Sequence, residues 1–166
     1  MLVDADGYGR SQFIDGWIDV MDGLTPRSEI VDFDADDAAL TAAGARLATG
    51  PLVVKGLSKS AKDDWADSMF VAHVDDLHRV VANLRARISV DAEERLVIRE
   101  FVPLLGDGLR LWCVDGTCRA VRNHPQSAPG AVDEKGRWWL VEVGSGCVGE
   151  LPAGLGVDDL FPDNDG

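Results

Sequence analysis

The sequence predicts an α+β fold with a mixed or antiparallel sheet. Three observations carry this. Strand-type and helix-type segments alternate through roughly the first ninety residues, and strand-type segments dominate afterwards. Asp115-Gly116-Thr117 separates two β-rich runs, 109–114 and 118–122, as a hairpin turn does. The apolar residues of RWWLVEVG (137–144) are nearly continuous, the pattern of a strand central in a sheet.

In chain order, Phe13, Trp17, Val20 and Met21 have helical spacing, with Ile14 and Ile18 as a second stripe. They predict an amphipathic helix over about 11–22. EIVDF (29–33) reads as a short strand. The acidic residues of 34–37 favour a helix start through the helix dipole, and the alanine-rich run 38–48 continues it until Gly50-Pro51. Leu52, Val53 and Val54 form a strand ending at Lys55, and 69–74 reads as another. Asp75-Asp76 is placed to cap a helix that runs to about Ile88, with Leu77, Val80, Val81 and Leu84 on its apolar face. Residues 96–102 form a long strand interrupted by Arg99-Glu100. The Pro/Gly/Ser-rich stretch 123–136 reads as a loop, and 145–166 as loop and acidic tail with a turn of helix at 157–161. The expected division is an N-terminal helical segment, 1–24, a main domain, 25–160, and an acidic tail, 161–166.

The length of 166 residues suits one domain, and 46% hydrophobic with 27% charged residues is ordinary for a soluble protein. No run approaches the roughly 18 apolar residues of a membrane span. The N-terminus, MLVDADGYGR, lacks the basic flank and apolar stretch of a signal peptide, so a cytoplasmic location is expected. A net charge of -13 argues against binding nucleic acid backbones and suits a basic pocket for an anionic ligand. Cys113 and Cys118 flank the turn and can face each other, although a disulfide is not expected in a reducing compartment; Cys147 is the third cysteine. It lies in a Gly-rich loop as an accessible thiol, a weak candidate nucleophile. His73, His78 and His124 have no metal-ligand spacing and read as structural or surface residues.

The chemistry concentrates in PLVVKGLSKSAKDDW (51–65), which holds three of the four lysines: Lys55, Lys59 and Lys62. A strand that delivers a lysine into a Gly/Ser loop can hold a phosphate, because the strand fixes the ammonium and small residues let backbone N–H groups approach an anion. The alternative is a strand ending in a solvated basic loop. Glu142 lies within the most apolar strand, where a carboxylate is costly unless paired or bound to a cation. It reads either as an ion pair with Arg99 or Arg110, or as a Mg²⁺ ligand. Lysines for phosphates, an acid for Mg²⁺ and a strand edge for a base are the parts an ATP site needs.

Four segments in this order and spacing resemble the ATP-grasp family, in particular a poorly characterised bacterial and phage clade: LTPRSE (24–29), VVKGLSKSAKDDW (53–65), LVIREFVPL (96–104) with LRLWCVDGTCRAV (109–121), and WWLVEVGSGCVGELP (138–152). The resemblance implies two small α+β subdomains that clasp ATP. It places Lys55 on the ATP phosphates and Lys59 and Lys62 in the covering loop. Glu100, Phe101 and Val102 would form the hinge that borders adenine and ribose. Arg110 would lie near the phosphates or an acyl phosphate, as the catalytic residue, and Glu142 would hold Mg²⁺. It further implies that an unknown carboxylate substrate is activated as an acyl phosphate and attacked by an amine or thiol. The chain departs from the clade at Gly108, where a glutamate is usual, and at Ser145, where a second metal-binding acid is usual. Asp107, beside Gly108, is the candidate to compensate, with Glu150 as another acid close by. Relatives also carry a longer N-terminal region. The alternative is therefore a degenerate, non-catalytic binding or interaction module.

Overall fold

The computed structural model describes residues 5–47, 50–57, 62–88, 94–114, 116–123 and 129–141. They fall into two compact units: residues 13–102, and residues 1–12 together with 103–166.

The first unit has a four-stranded antiparallel sheet built from β1 (Ser28–Asp32), β2 (Leu52–Gly56), β3 (Phe70–Val71) and β4 (Arg95–Glu100), in the order β1-β4-β2-β3. Helices α2 (Asp37–Leu47) and α4 (Leu77–Arg87) pack on one face, and α3 (Trp65–Ser68) leads into β3. Helix α2 starts where the carboxylate of Asp36 accepts the Ala39 N–H at 2.8 Å, a standard N-cap. Helix α4 buries Leu77, Val80, Val81 and Leu84, the face expected from their spacing. Its expected carboxylate cap is not made. Val74–Asp76 instead form a 3₁₀ turn running into the helix, and Asp76 faces Arg79 at 3.4 Å.

Pairing alternates the strand residues between two faces. Leu52, Val54, Val71, Leu96 and Ile98 meet the helices in a core with Leu40, Ala43, Leu47 and the α4 residues. The other face carries Ile30, Val53, Lys55, Phe70, Arg95, Val97 and Arg99. Segment 13–25 lies against part of that second face, with Asp15 paired to Arg95 and the Arg99 guanidinium 6.0 Å from the Trp17 ring. Both faces of β4 are therefore covered, and Leu96, Val97 and Ile98 are fully buried.

The helix expected at 11–22 is not formed. Phe13 takes an extended conformation that ends α1 (Ala5–Gln12), and Ile14–Gly16 form a single 3₁₀ turn. Ile14 and Trp17 are buried by packing in this turn-rich segment, while Val20, counted on the same apolar face, is 80% exposed. The strand expected at 69–74 shrinks to two residues. The strand expected at 96–102 ends at Glu100: the Phe101 N–H still donates to the Pro51 carbonyl at 2.9 Å, in register with the ladder, but Pro51 has no N–H to return the bond.

The second unit contains α1 and two antiparallel ribbons, β5 (Leu104–Asp107) with β8 (Pro129–Asp133) and β6 (Leu109–Val114) with β7 (Thr117–Asn123). The β6–β7 hairpin follows the expectation, with Gly116 at a φ of 74° in its tight turn. Strand β8 lies in the stretch read as loop. The central strand expected from 137 is not found over 137–141, where only Trp138 bridges to Val132 and Trp138 and Val141 are exposed. The rest of that strand, 142–144, lies outside the described residues.

Asp133 organises the turn after β8. Its carboxylate accepts the backbone N–H groups of Lys135 and Arg137 and the Trp139 Nε1–H, each at 2.9 Å. The Trp139 and Arg137 bonds hold its carboxyl below the usual aspartate range. A depressed carboxyl stabilises the turn above the ordinary aspartate pKa, and that stabilisation is lost as pH falls through the folded value. The Trp139 indole N–H resonance is therefore expected to shift in acid with a midpoint below about 3.9. In Asp133→Asn the acid shift disappears; a wild-type midpoint at or above that value would contradict the assignment.

Candidate functional site

Lys55 is half-buried on β2, an inner strand, directly opposite Val97 of β4. Three β-prone residues, Leu52 to Val54, hold the strand, and alternation places Lys55 on the face away from the helices. Phe70 lies on the same face, because it pairs with Val53, two residues before Lys55. Cross-strand diagonals of this kind bring Cα atoms to about 7–8 Å.

Phe70 joins an aromatic row. Its ring meets Phe101 edge-on at 5.1 Å and stacks on Trp65 at 6.2 Å. Trp65 is 42% exposed, whereas Phe70 and Phe101 are half-buried. One face and exit of the sheet therefore present an ammonium and a set of π surfaces, the groups that bind a phosphate and a planar base. Sequence reasoning missed Trp65 and Phe70. The only local signal was two aromatic residues five apart just after the lysine loop.

The predicted hinge residues lie where the chain passes from one unit to the other, at Val102–Pro103. Glu100 belongs to the helix-side face, opposite Leu52, so its side chain leaves the sheet on the other side from Lys55. Its carboxylate meets Arg27 Nη1 at 3.2 Å, while Arg27 Nη2 donates to the Arg46 carbonyl. The N–H groups of Glu100 and Phe101 donate to the carbonyls of Arg27 and Pro51, each at 2.9 Å. Val102 is half-buried beyond them.

Arg99, considered as a partner for Glu142, bonds to the Thr25 hydroxyl and lies beside Trp17. Burial lowers its pKa to about 10, the direction expected for a cation taken out of water. Arg110 lies on β6, directly opposite Arg122, with its guanidinium 5.8 Å from the Trp112 ring. Two cations opposed on one face favour an anion beside them. Asp107 ends β5, but its side chain lies outside the described residues, as does that of Lys62. Lys59, His124, Glu142, Ser145, Cys147 and Glu150 lie outside them altogether. Among the described residues no group of three or more His, Cys, Asp or Glu could hold a metal ion. His78 ties two helices together, through Asp37 at 3.1 Å and Thr41 at 3.0 Å. No helix among the described residues is long and apolar enough to cross a membrane.

The chain is an α+β protein of ATP-grasp-like fold, the class given by its likeness to a solved structure. The chain is similar to the solved structure of C-terminally truncated Cdc123 from Schizosaccharomyces pombe, with a TM-score of 0.50 and 13% identity over 75% of this chain. The match spans 66% of that chain, a little under two thirds of its length, and concerns the fold alone. A second structure of Cdc123 from the same organism matches at a TM-score of 0.42 and 15% identity, covering 66% of this chain and 60% of that one. No family model matches the sequence, and no curated protein does either.

Proposed function

We propose that the chain is an ATP-binding protein of the ATP-grasp family that acts with Mg²⁺ as an ATP-dependent carboxylate–amine ligase, forming an acyl phosphate. The observation that carries the reading is Lys55 and Phe70 on one face of the sheet, with Phe70 packed on Phe101 at the strand exit. Lys55 engages the phosphates, and Phe101 and Val102 border the base. Arg110, opposed by Arg122, is the second phosphate-directed cation. Lys59 belongs to the covering loop. The metal is assigned to Glu142 with Asp107, and Mg²⁺ there would screen the phosphates and polarise the group that is attacked.

Titration calorimetry with Mg-ATP tests this. The intact protein is expected to bind, and Lys55→Ala to weaken binding by about tenfold or more, the worth of a charge-assisted phosphate contact. Exposed Trp65 gives an independent readout, since a base stacked beside it changes its fluorescence. No detectable binding by the intact protein would overturn the reading.

A second reading is binding without catalysis, favoured by Gly108 and Ser145 at positions where the resemblance expects acids. It expects ATP binding without turnover. A steady ATPase or ligase activity abolished by Glu142→Ala would exclude it.

A further inference from the structure

We infer that Cys113 and Cys118 form a redox-active dithiol site that closes to a cross-strand disulfide when it meets a low-molecular-weight disulfide. The two cysteines are direct register partners in the β6–β7 hairpin. Both are free thiols and both are exposed, so an oxidant reaches them.

The register is a product of a bulge. From Leu109↔Asn123 to Trp112↔Ala120 the ladder is regular, and its continuation would set Cys113 opposite Arg119. The pairing shifts between Trp112 and Cys113, so Arg119 is passed over and Cys118 stands opposite Cys113. Val114↔Thr117 then closes the ladder over Asp115-Gly116. The Cys118 thiol also donates to its own strand, at the Ala120 carbonyl, 3.5 Å away. Partial desolvation, then the neighbouring Cys118, raises the Cys113 thiol above its ordinary range although the residue is exposed.

The step balances as thiol–disulfide exchange. One cysteine thiolate attacks the small disulfide, releasing one small thiol and leaving a mixed disulfide on the protein. The facing cysteine then attacks the protein-bound sulfur, forms the S–S bond and expels the second small thiol. Two cysteines are oxidised, one small disulfide is reduced, and the two cysteine protons leave on the two thiols. Folding holds the sulfurs together beforehand, so the folded chain should close the bond more readily than the unfolded one. The inference stands apart from ATP binding, and its test does not involve nucleotide.

The full chain is equilibrated with oxidised and reduced glutathione, quenched with acid, alkylated and digested with trypsin. Cleavage after Arg110 and Arg119 places both cysteines in one peptide, Leu111–Arg119, and leaves Cys147 in a separate peptide after Arg137. The expected product is Leu111–Arg119 unalkylated and lighter by two hydrogen atoms. Its equilibrium constant is expected to be about tenfold or more above that of the same chain in denaturant. Equal constants, or glutathione retained on one or both cysteines without the cross-link, would overturn the proposal. Combining Cys118→Ser with Arg119→Cys checks the register. It is expected to close about tenfold less readily than the native pair in the chain shown folded by circular dichroism; equal closure would overturn the proposal.

Discussion

Ile98→Ala is expected to lower the unfolding free energy by about 3–4 kcal/mol, the middle of the range for truncating a fully buried aliphatic side chain. Ile98 is fully buried, at the middle of the four-stranded sheet, between Glu29 of β1 and Val54 of β2. It faces the layer made by α2 and α4. Its neighbours belong to strands and helices that fix one another, so the space left by three carbons cannot collapse cheaply. Domains of this size retain only about 5–15 kcal/mol of stability, so the variant should unfold at a visibly lower denaturant midpoint with an unchanged slope. Val121→Ala on β7 provides the contrast. Val121 is 44% exposed, and its loss should cost under about 1 kcal/mol. An effect of similar size at both positions would contradict the placement of Ile98 in the core.

How far the sequence reveals this arrangement depends on which interactions set each element. Helix α4 was legible because Leu77, Val80, Val81 and Leu84 repeat at helical spacing, and their burial is the energy that holds the helix. The hairpin was legible because Asp-Gly between β-rich runs is a local signal. Segment 13–25 carried a similar periodic signal but followed another rule. Ile14 and Trp17 are buried in a series of turns, and Phe13 stays extended. Strand β8 was hidden by Pro129 and Gly130. Proline disrupts a ladder least at the first residue of a strand, and Pro129 occupies that position.

The candidate site divides in the same way. Lys55 at a strand end could be read from Leu52-Val53-Val54 alone. Its face could not, because that rests on pairing with Val97, forty-two residues away in the chain. The same register sends Glu100 to the opposite face, where Arg27 meets it. Phe101 was read from a motif, whereas its contact with Phe70, and through Phe70 with Trp65, depends on how β3 returns beside β2. Local sequence names the side chains that carry chemistry, and long-range register decides which of them share a surface.

Gly44→Val is expected to cost about 3 kcal/mol or more, because α2 and the start of α4 approach too closely for a side chain between them. A Cβ at Gly44 would lie 2.9 Å from Leu77 Cδ2 and 2.9 Å from Val74 Cγ2. Leu77 is 1% exposed and packed in the core, so it cannot swing aside into solvent. Gly44→Ala sets two effects against each other. Alanine improves helix propensity by up to about 1 kcal/mol. Overpacking costs about 1–3 kcal/mol, so a net loss of about 1 kcal/mol is expected. Combining Gly44→Ala with Leu77→Val removes one carbon from the clash, and the pair should cost less than the sum of the single changes by about 0.5–1 kcal/mol. Denaturant unfolding of the four chains measures this coupling. A purely additive result would mean that the two positions do not touch. The consequence reaches the sheet, because this helix layer backs β2 and thereby sets the plane from which Lys55 and Phe70 project on the other side.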